Sequence, residues 1–107
     1  MKQLQEQIQT YLQFCTHTKR LASLTVYAYE IDLSQFLCFL EEHNPEIQSA
    51  EQVTKPVLQS YVFALNEKYA VSSTKRKIAC LKGFFLHLIE EEVIQQNPFL
   101  NLHIKMR

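Results

Sequence analysis

Apolar residues recur at helical spacing along almost the whole chain. Leu4, Ile8, Tyr11, Leu12 and Cys15 form one stripe with Gln and Glu between them, which predicts a helix over residues 2–16. From Thr16 to Ala22 the period is lost around Lys19 and Arg20, and the stretch reads as a loop. A second helix is predicted over 23–43, with Ser23 as its N-cap and Val26, Tyr29, Leu33, Phe36, Leu37 and Leu40 as its stripe. Pro45 ends it, because proline lacks an N–H and disfavours a helical residue before it.

Thr54 followed by Pro56 is a capping residue with a proline in the first turn, and it opens a third helix over 55–68. Leu58, Tyr61, Val62 and Leu65 supply its buried face. Ser72, Ser73 and Thr74 then interrupt the pattern, and one of the serines is expected to cap a fourth helix over 73–92. Its stripe is Ile78, Leu81, Phe85 and Leu88, widened by Phe84 and Ile89. Asn97 and Pro98 close the helical region, and Phe99, Leu100 and Leu102 read as a tail packed back on it. The expectation is an all-α chain, a single compact four-helix bundle. Leu33, Phe36, Leu40, Leu58, Leu65, Ile78, Leu81, Phe85 and Leu88 are its predicted core.

Composition narrows this reading. One Gly and three Pro are too few for the turns of an all-β chain. Cys15, Cys38 and Cys80 are odd in number and lack CxxC spacing, which predicts reduced, packed thiols in a cytoplasmic protein. No apolar run approaches the roughly 18 residues of a membrane span, and the N-terminus has no signal-peptide core. A soluble, intracellular chain with no membrane partner is expected.

Lys+Arg and Asp+Glu are both 11, so the net charge is zero. The charges nevertheless segregate. Lys68, Lys75, Arg76, Lys77 and Lys82 occupy residues 68–82 without an acid, whereas Glu41, Glu42, Glu46 and Glu51 occupy 41–51 without a cation. Glu90, Glu91 and Glu92 end the fourth helix. Cations at a helix start and acids at its end oppose the macrodipole, at a cost of roughly 0.3–1 kcal/mol each. A helix start that faces an anion reverses the sign of that cost. Ser72, Ser73 and Thr74 add hydroxyl donors beside the first-turn N–H groups, the chemistry of a phosphate contact. A solvated basic face with an ordinary N-cap accounts for the same charges equally well. Lys19, Arg20, Ser23 and Thr25 repeat the design at the second helix. Two such starts side by side would fit duplex DNA.

Other chemistries lack their parts. A nucleophilic tyrosine needs cations and a general acid converging on the phosphate, whereas Tyr11, Tyr29 and Tyr61 lie on predicted core stripes. Cys15 and His17 offer two metal ligands where structural zinc takes four, so no metal and no cofactor is expected. His43, His87 and His103 are scattered and read as surface or edge residues. Phe84 and Phe85 read as core rather than as base-stacking residues.

Thr25, Tyr29, Asp32, Leu33 and Phe36 occupy a T-x-x-x-Y-x-x-D-L-x-x-F spacing. Ser73 to Phe85 carries a hydroxyl turn, a basic helix start and an aromatic pair, and Glu92 to Pro98 ends an acidic-apolar segment in Asn-Pro. In this order the motifs resemble the N-terminal core-binding domain of tyrosine recombinases, the phage-integrase and Xer-like family. The resemblance covers about residues 4–102. It implies a SAM-like orthogonal bundle that grips one face of a recombination site on double-stranded DNA, for integration, excision or resolution. Carried over by position, Thr25 falls where the second helix enters, Ser73 to Lys77 where the fourth meets DNA, and Lys82 at a commonly basic position. Ala22 departs from the serine usual there. The resemblance further implies a non-catalytic domain over 1–102 and a linker beginning at 103–107. That linker would lead to a C-terminal catalytic domain of the same full-length chain, which would work with other recombinase protomers in a synaptic assembly. The competing class is a helical protein-interaction domain without nucleic acid, its basic face meeting an acidic partner.

Overall fold

In a computed structural model that describes residues 1–104, the order of elements is α1 (Lys2–His17), α2 (Ser23–His43), a 3-10 turn (Ala50–Gln52), α3 (Lys55–Lys68) and α4 (Val71–Glu90). The described residues contain no strand, so the chain is all-α. None of these helices is long and apolar enough to cross a membrane. The chain divides into two compact units, Met1–Ala50 and the part from Glu51 onward.

In the first unit α1 packs on α2. The predicted stripe of α1 is buried in full, at Leu4, Ile8, Tyr11, Leu12 and Cys15. Leu33, Phe36 and Leu40 are buried on α2, while Val26, Tyr29 and Leu37 are half-buried. After Pro45 the chain returns along the start of α1. The Leu4 N–H, one of the four first-turn donors without an intrahelical acceptor, donates to the Gln48 carbonyl at 2.9 Å, and the Ala50 N–H donates to Gln7 Oε1 at 2.9 Å. Ile47 and Ala50 are buried by this return.

In the second unit α3 packs on α4 across a two-residue connection, Tyr69 and Ala70. Thr54 caps α3 by position with Pro56 in the first turn, as expected, although its side chain makes no capping bond. Leu58, Tyr61, Val62 and Leu65 are buried, as are Ile78, Leu81, Phe84, Phe85 and Leu88 opposite them. After α4, Asn97 Oδ1 accepts the Phe99 N–H at 2.9 Å, and the Phe99 ring meets Phe85 edge-on at 5.9 Å. This anchors the start of the tail.

Several expectations are corrected. Thr16 and His17 belong to α1, and the loop begins at Thr18. Ala22, not Ser23, is the N-cap of α2, and Ser23 is its first helical residue. Ala70, not a serine, is the N-cap of α4, so Ser72 and Ser73 lie inside the first turn. The helix ends at Glu90 rather than Glu92, because Glu92 turns to φ 59°. Cys38 is exposed on α2 instead of packed. His87 is buried rather than at the surface, and Leu100 is exposed rather than packed.

Candidate nucleic-acid interface

The start of α4 is set by its junction with α3. Tyr69 and Ala70 are extended, at ψ 157° and 158°, and the helical bonds begin with the Thr74 N–H to the Ala70 carbonyl at 3.0 Å. The N–H groups of Val71, Ser72 and Ser73 precede that bond and form the positive end of the helix. Thr74 is fully buried, and its hydroxyl donates to the Leu65 carbonyl at 3.4 Å. Lys77 is buried too, with Nζ 4.7 Å from the centre of the Tyr69 ring, which also receives Lys68 at 5.5 Å. Thr74 and Lys77 thus fasten α4 to the end of α3.

The solvent face of α4 is different in kind. Ser72, Lys75, Arg76, Ala79 and Lys82 are all exposed, with Gly83 half-buried beside them. At about 100° per residue these positions fall within about 120° of one another, a single strip about 15 Å long. It carries three cations and no acid. Its remaining residues are small, so a partner can approach the backbone closely. Lys82 Nζ lies 5.9 Å from the centre of the Phe99 ring, which supports its stem at the far end. Ser73 is half-buried beside the strip.

A second basic group lies in the first unit. Lys19, Arg20 and Ser23 are exposed and Thr25 is half-buried. The Lys19 N–H closes the end of α1 on the Phe14 carbonyl at 3.0 Å, and the Leu21 N–H reaches the Cys15 carbonyl at 3.0 Å. Between them Arg20 takes φ 54°, the left-handed backbone that glycine adopts without strain. This loop presents two adjacent cations immediately before α2.

One feature of the same unit escaped the sequence reading. Leu24, Tyr27 and Ile31 are exposed on α2, opposite in phase to the stripe that is buried. Their i, i+3, i+7 spacing was the available signal, masked by the stronger stripe through Leu33, Phe36 and Leu40. Among the described residues no three His, Cys, Asp or Glu side chains gather as a metal site.

A model of the phage integrase N-terminal SAM-like domain matches residues 8–92. The chain is 38% identical over 108 residues to a tyrosine recombinase of Agathobacter rectalis, an alignment covering 100% of this chain and 33% of the relative. It is 35% identical over 100 residues to tyrosine recombinase XerC of Herpetosiphon aurantiacus, covering 92% and 32%. With XerC of Listeria monocytogenes serotype 4a the identity is 37% over 98 residues, covering 90% and 31%. The chain therefore spans about a third of the length of the curated relatives it matches. No solved structure matches it. By the match over residues 8–92, the chain belongs to the phage integrase N-terminal SAM-like domain family.

Proposed function

We propose that this chain is the core-binding module of a site-specific tyrosine recombinase, gripping duplex DNA at the core of a recombination site. Strand cleavage and rejoining, for integration, excision or resolution, belong in this reading to a C-terminal catalytic domain of the same full-length chain. Further recombinase protomers complete a synaptic assembly in the cytoplasm, and no cofactor enters. The observation that carries the proposal is the exposed α4 strip of Ser72, Lys75, Arg76, Ala79 and Lys82. Lys75 and Arg76, near the positive end of α4, oppose the helix dipole, and together with Lys82 they repel one another; an anion laid against the strip offsets both effects. The phosphates of a duplex supply that anion, at one charge per about 1.7 Å of helix axis. Lys19, Arg20, Ser23 and Thr25 form the second contact, with Ser73 adding a hydroxyl at the edge of the first. Thr74 and Lys77 act behind that face, holding α4 in place.

The test is a salt titration of duplex binding followed by fluorescence anisotropy. Each phosphate contact contributes about 0.9 to the slope of log affinity against log salt. The double variant Lys75→Ala, Arg76→Ala is expected to weaken binding strongly and flatten that slope by roughly two units. Glu90→Gln with Glu91→Gln should not weaken it. A double variant with the parental slope places the DNA elsewhere. A parent without salt-dependent duplex binding leaves the protein-interaction reading in its place.

A further inference from the structure

Leu24, Tyr27 and Ile31 are 81%, 61% and 38% exposed, along one side of the first two turns of α2. At about 100° per residue they lie within about 60° of one another, over about 10 Å of helix. A lone exposed leucine is ordinary, but three large apolar residues in line form a patch that marks an interaction site. The opposite side of α2 is already buried through Leu33, Phe36 and Leu40, so core packing does not account for the stripe.

Two facts point to its occupant. First, Lys19 and Arg20 stand exposed just before the helix, and four residues of chain from Arg20 to Leu24 span at most about 14 Å. A major groove is about 12 Å wide, so a helix lying in it would hold those cations at the phosphates of its lip. Second, the segment from Ser23 to Ser34 contains no Lys, Arg, Asn or Gln. It therefore lacks the side chains that make bidentate contacts with guanine or adenine. Apolar side chains read a different mark in the major groove, the 5-methyl group of thymine.

We infer that the α2 stripe reads thymine through its methyl group: Leu24, Tyr27 and Ile31 face the base edges while Lys19 and Arg20 hold the flanking phosphates. The inference rests on the DNA reading proposed above and adds the base that this helix selects. Glu30, exposed beside the stripe, turns phosphates away from that edge and can accept from a cytosine amino group.

The experiment uses duplexes selected by the chain from a randomised library, resynthesised with deoxyuridine in place of thymidine. That exchange removes the methyl group and leaves pairing and charge unchanged. Each contacted methyl is expected to be worth about fourfold in affinity, with the salt slope unaltered. The variant Leu24→Ser, Tyr27→Ser should bind both duplexes alike with the parental slope. Both residues are exposed, so the variant keeps its fold, which circular dichroism checks. If the parent binds with a steep salt slope but treats the two duplexes alike, the inference is overturned and the DNA reading stands. If the parent binds no duplex, that reading fails and this one with it. If the two duplexes bind alike and the parent is a dimer that the serine variant dissociates, the stripe is a contact between copies and the inference is overturned.

Discussion

Arg20 holds φ 54°, a backbone that costs a residue with a side chain about 1–2 kcal/mol and costs glycine little. Arg20→Gly should therefore raise stability by about 1 kcal/mol, read as a rise of a few degrees in the thermal midpoint. The same change removes one proposed phosphate contact and should flatten the salt slope by about one unit. Opposite movements in the two measurements are the expected result. A higher midpoint with an unchanged slope would take Arg20 out of the interface. The neighbours Thr74, Lys75, Arg76 and Lys77 teach the complementary lesson. All four read as contacts in the sequence, yet Lys75 and Arg76 are exposed while Thr74 and Lys77 are buried. At about 100° per residue, Lys77 falls at the edge of the apolar stripe, about 20° from Leu88. What helical phase could not place was Tyr69, whose ring lies under the Lys77 ammonium and lets a charged side chain stay inside.

At the scale of elements, the end of α4 forms a Schellman turn without its usual glycine. The Val93 N–H reaches the Leu88 carbonyl at 2.9 Å, the Glu92 N–H reaches Ile89 at 3.0 Å, and Glu92 sits at φ 59° between them. Glu92→Gly is expected to stabilise the chain by about 1 kcal/mol in denaturant melts, by relieving that backbone. Glu92→Gln separates the backbone effect from the removal of an acid at a helix C-terminus. Should glycine and glutamine raise stability equally, charge rather than backbone governs this turn. The sequence hid this stop because Glu92 carries none of the signals of a C-cap. It showed the start of α3 plainly, since Pro56 fixes its own φ in the first turn and Thr54 takes the N-cap position by sequence alone. The start of α4 was misplaced by two residues for a tertiary reason. The connection from α3 is short, and the Thr74 hydroxyl is drawn to Leu65, which carries both serines into the helix.

At the scale of the molecule, the order of motifs from Thr25 to Pro98 was enough to reach the family, although each motif alone is weak: Thr25 to Phe36 reads as core and Ser73 to Lys77 as an ordinary basic helix start. The exposed stripe of α2 was not legible, because a helix apolar on two sides gives periodicity no single phase to follow. A tyrosine that attacks a phosphodiester needs its hydroxyl exposed, with cations and a general acid converging on the phosphoryl oxygens. Tyr11 and Tyr61 are buried, and Tyr29 is half-buried. Tyr27 is exposed, but between Leu24 and Ile31 on an apolar face. Tyr69 has two ammonium groups nearby, Lys68 and Lys77, yet both lie over the face of its ring, where they are held by its π-electrons. No tyrosine of the described residues thus combines an open hydroxyl with an anion-binding cluster. The chain alone should bind a nicked duplex and leave its strands unchanged. Incubation with an end-labelled nicked duplex, followed by denaturing electrophoresis, is expected to show only free DNA. A labelled band retained with the protein, and lost on protease treatment, would mean that a tyrosine of this chain attacks DNA.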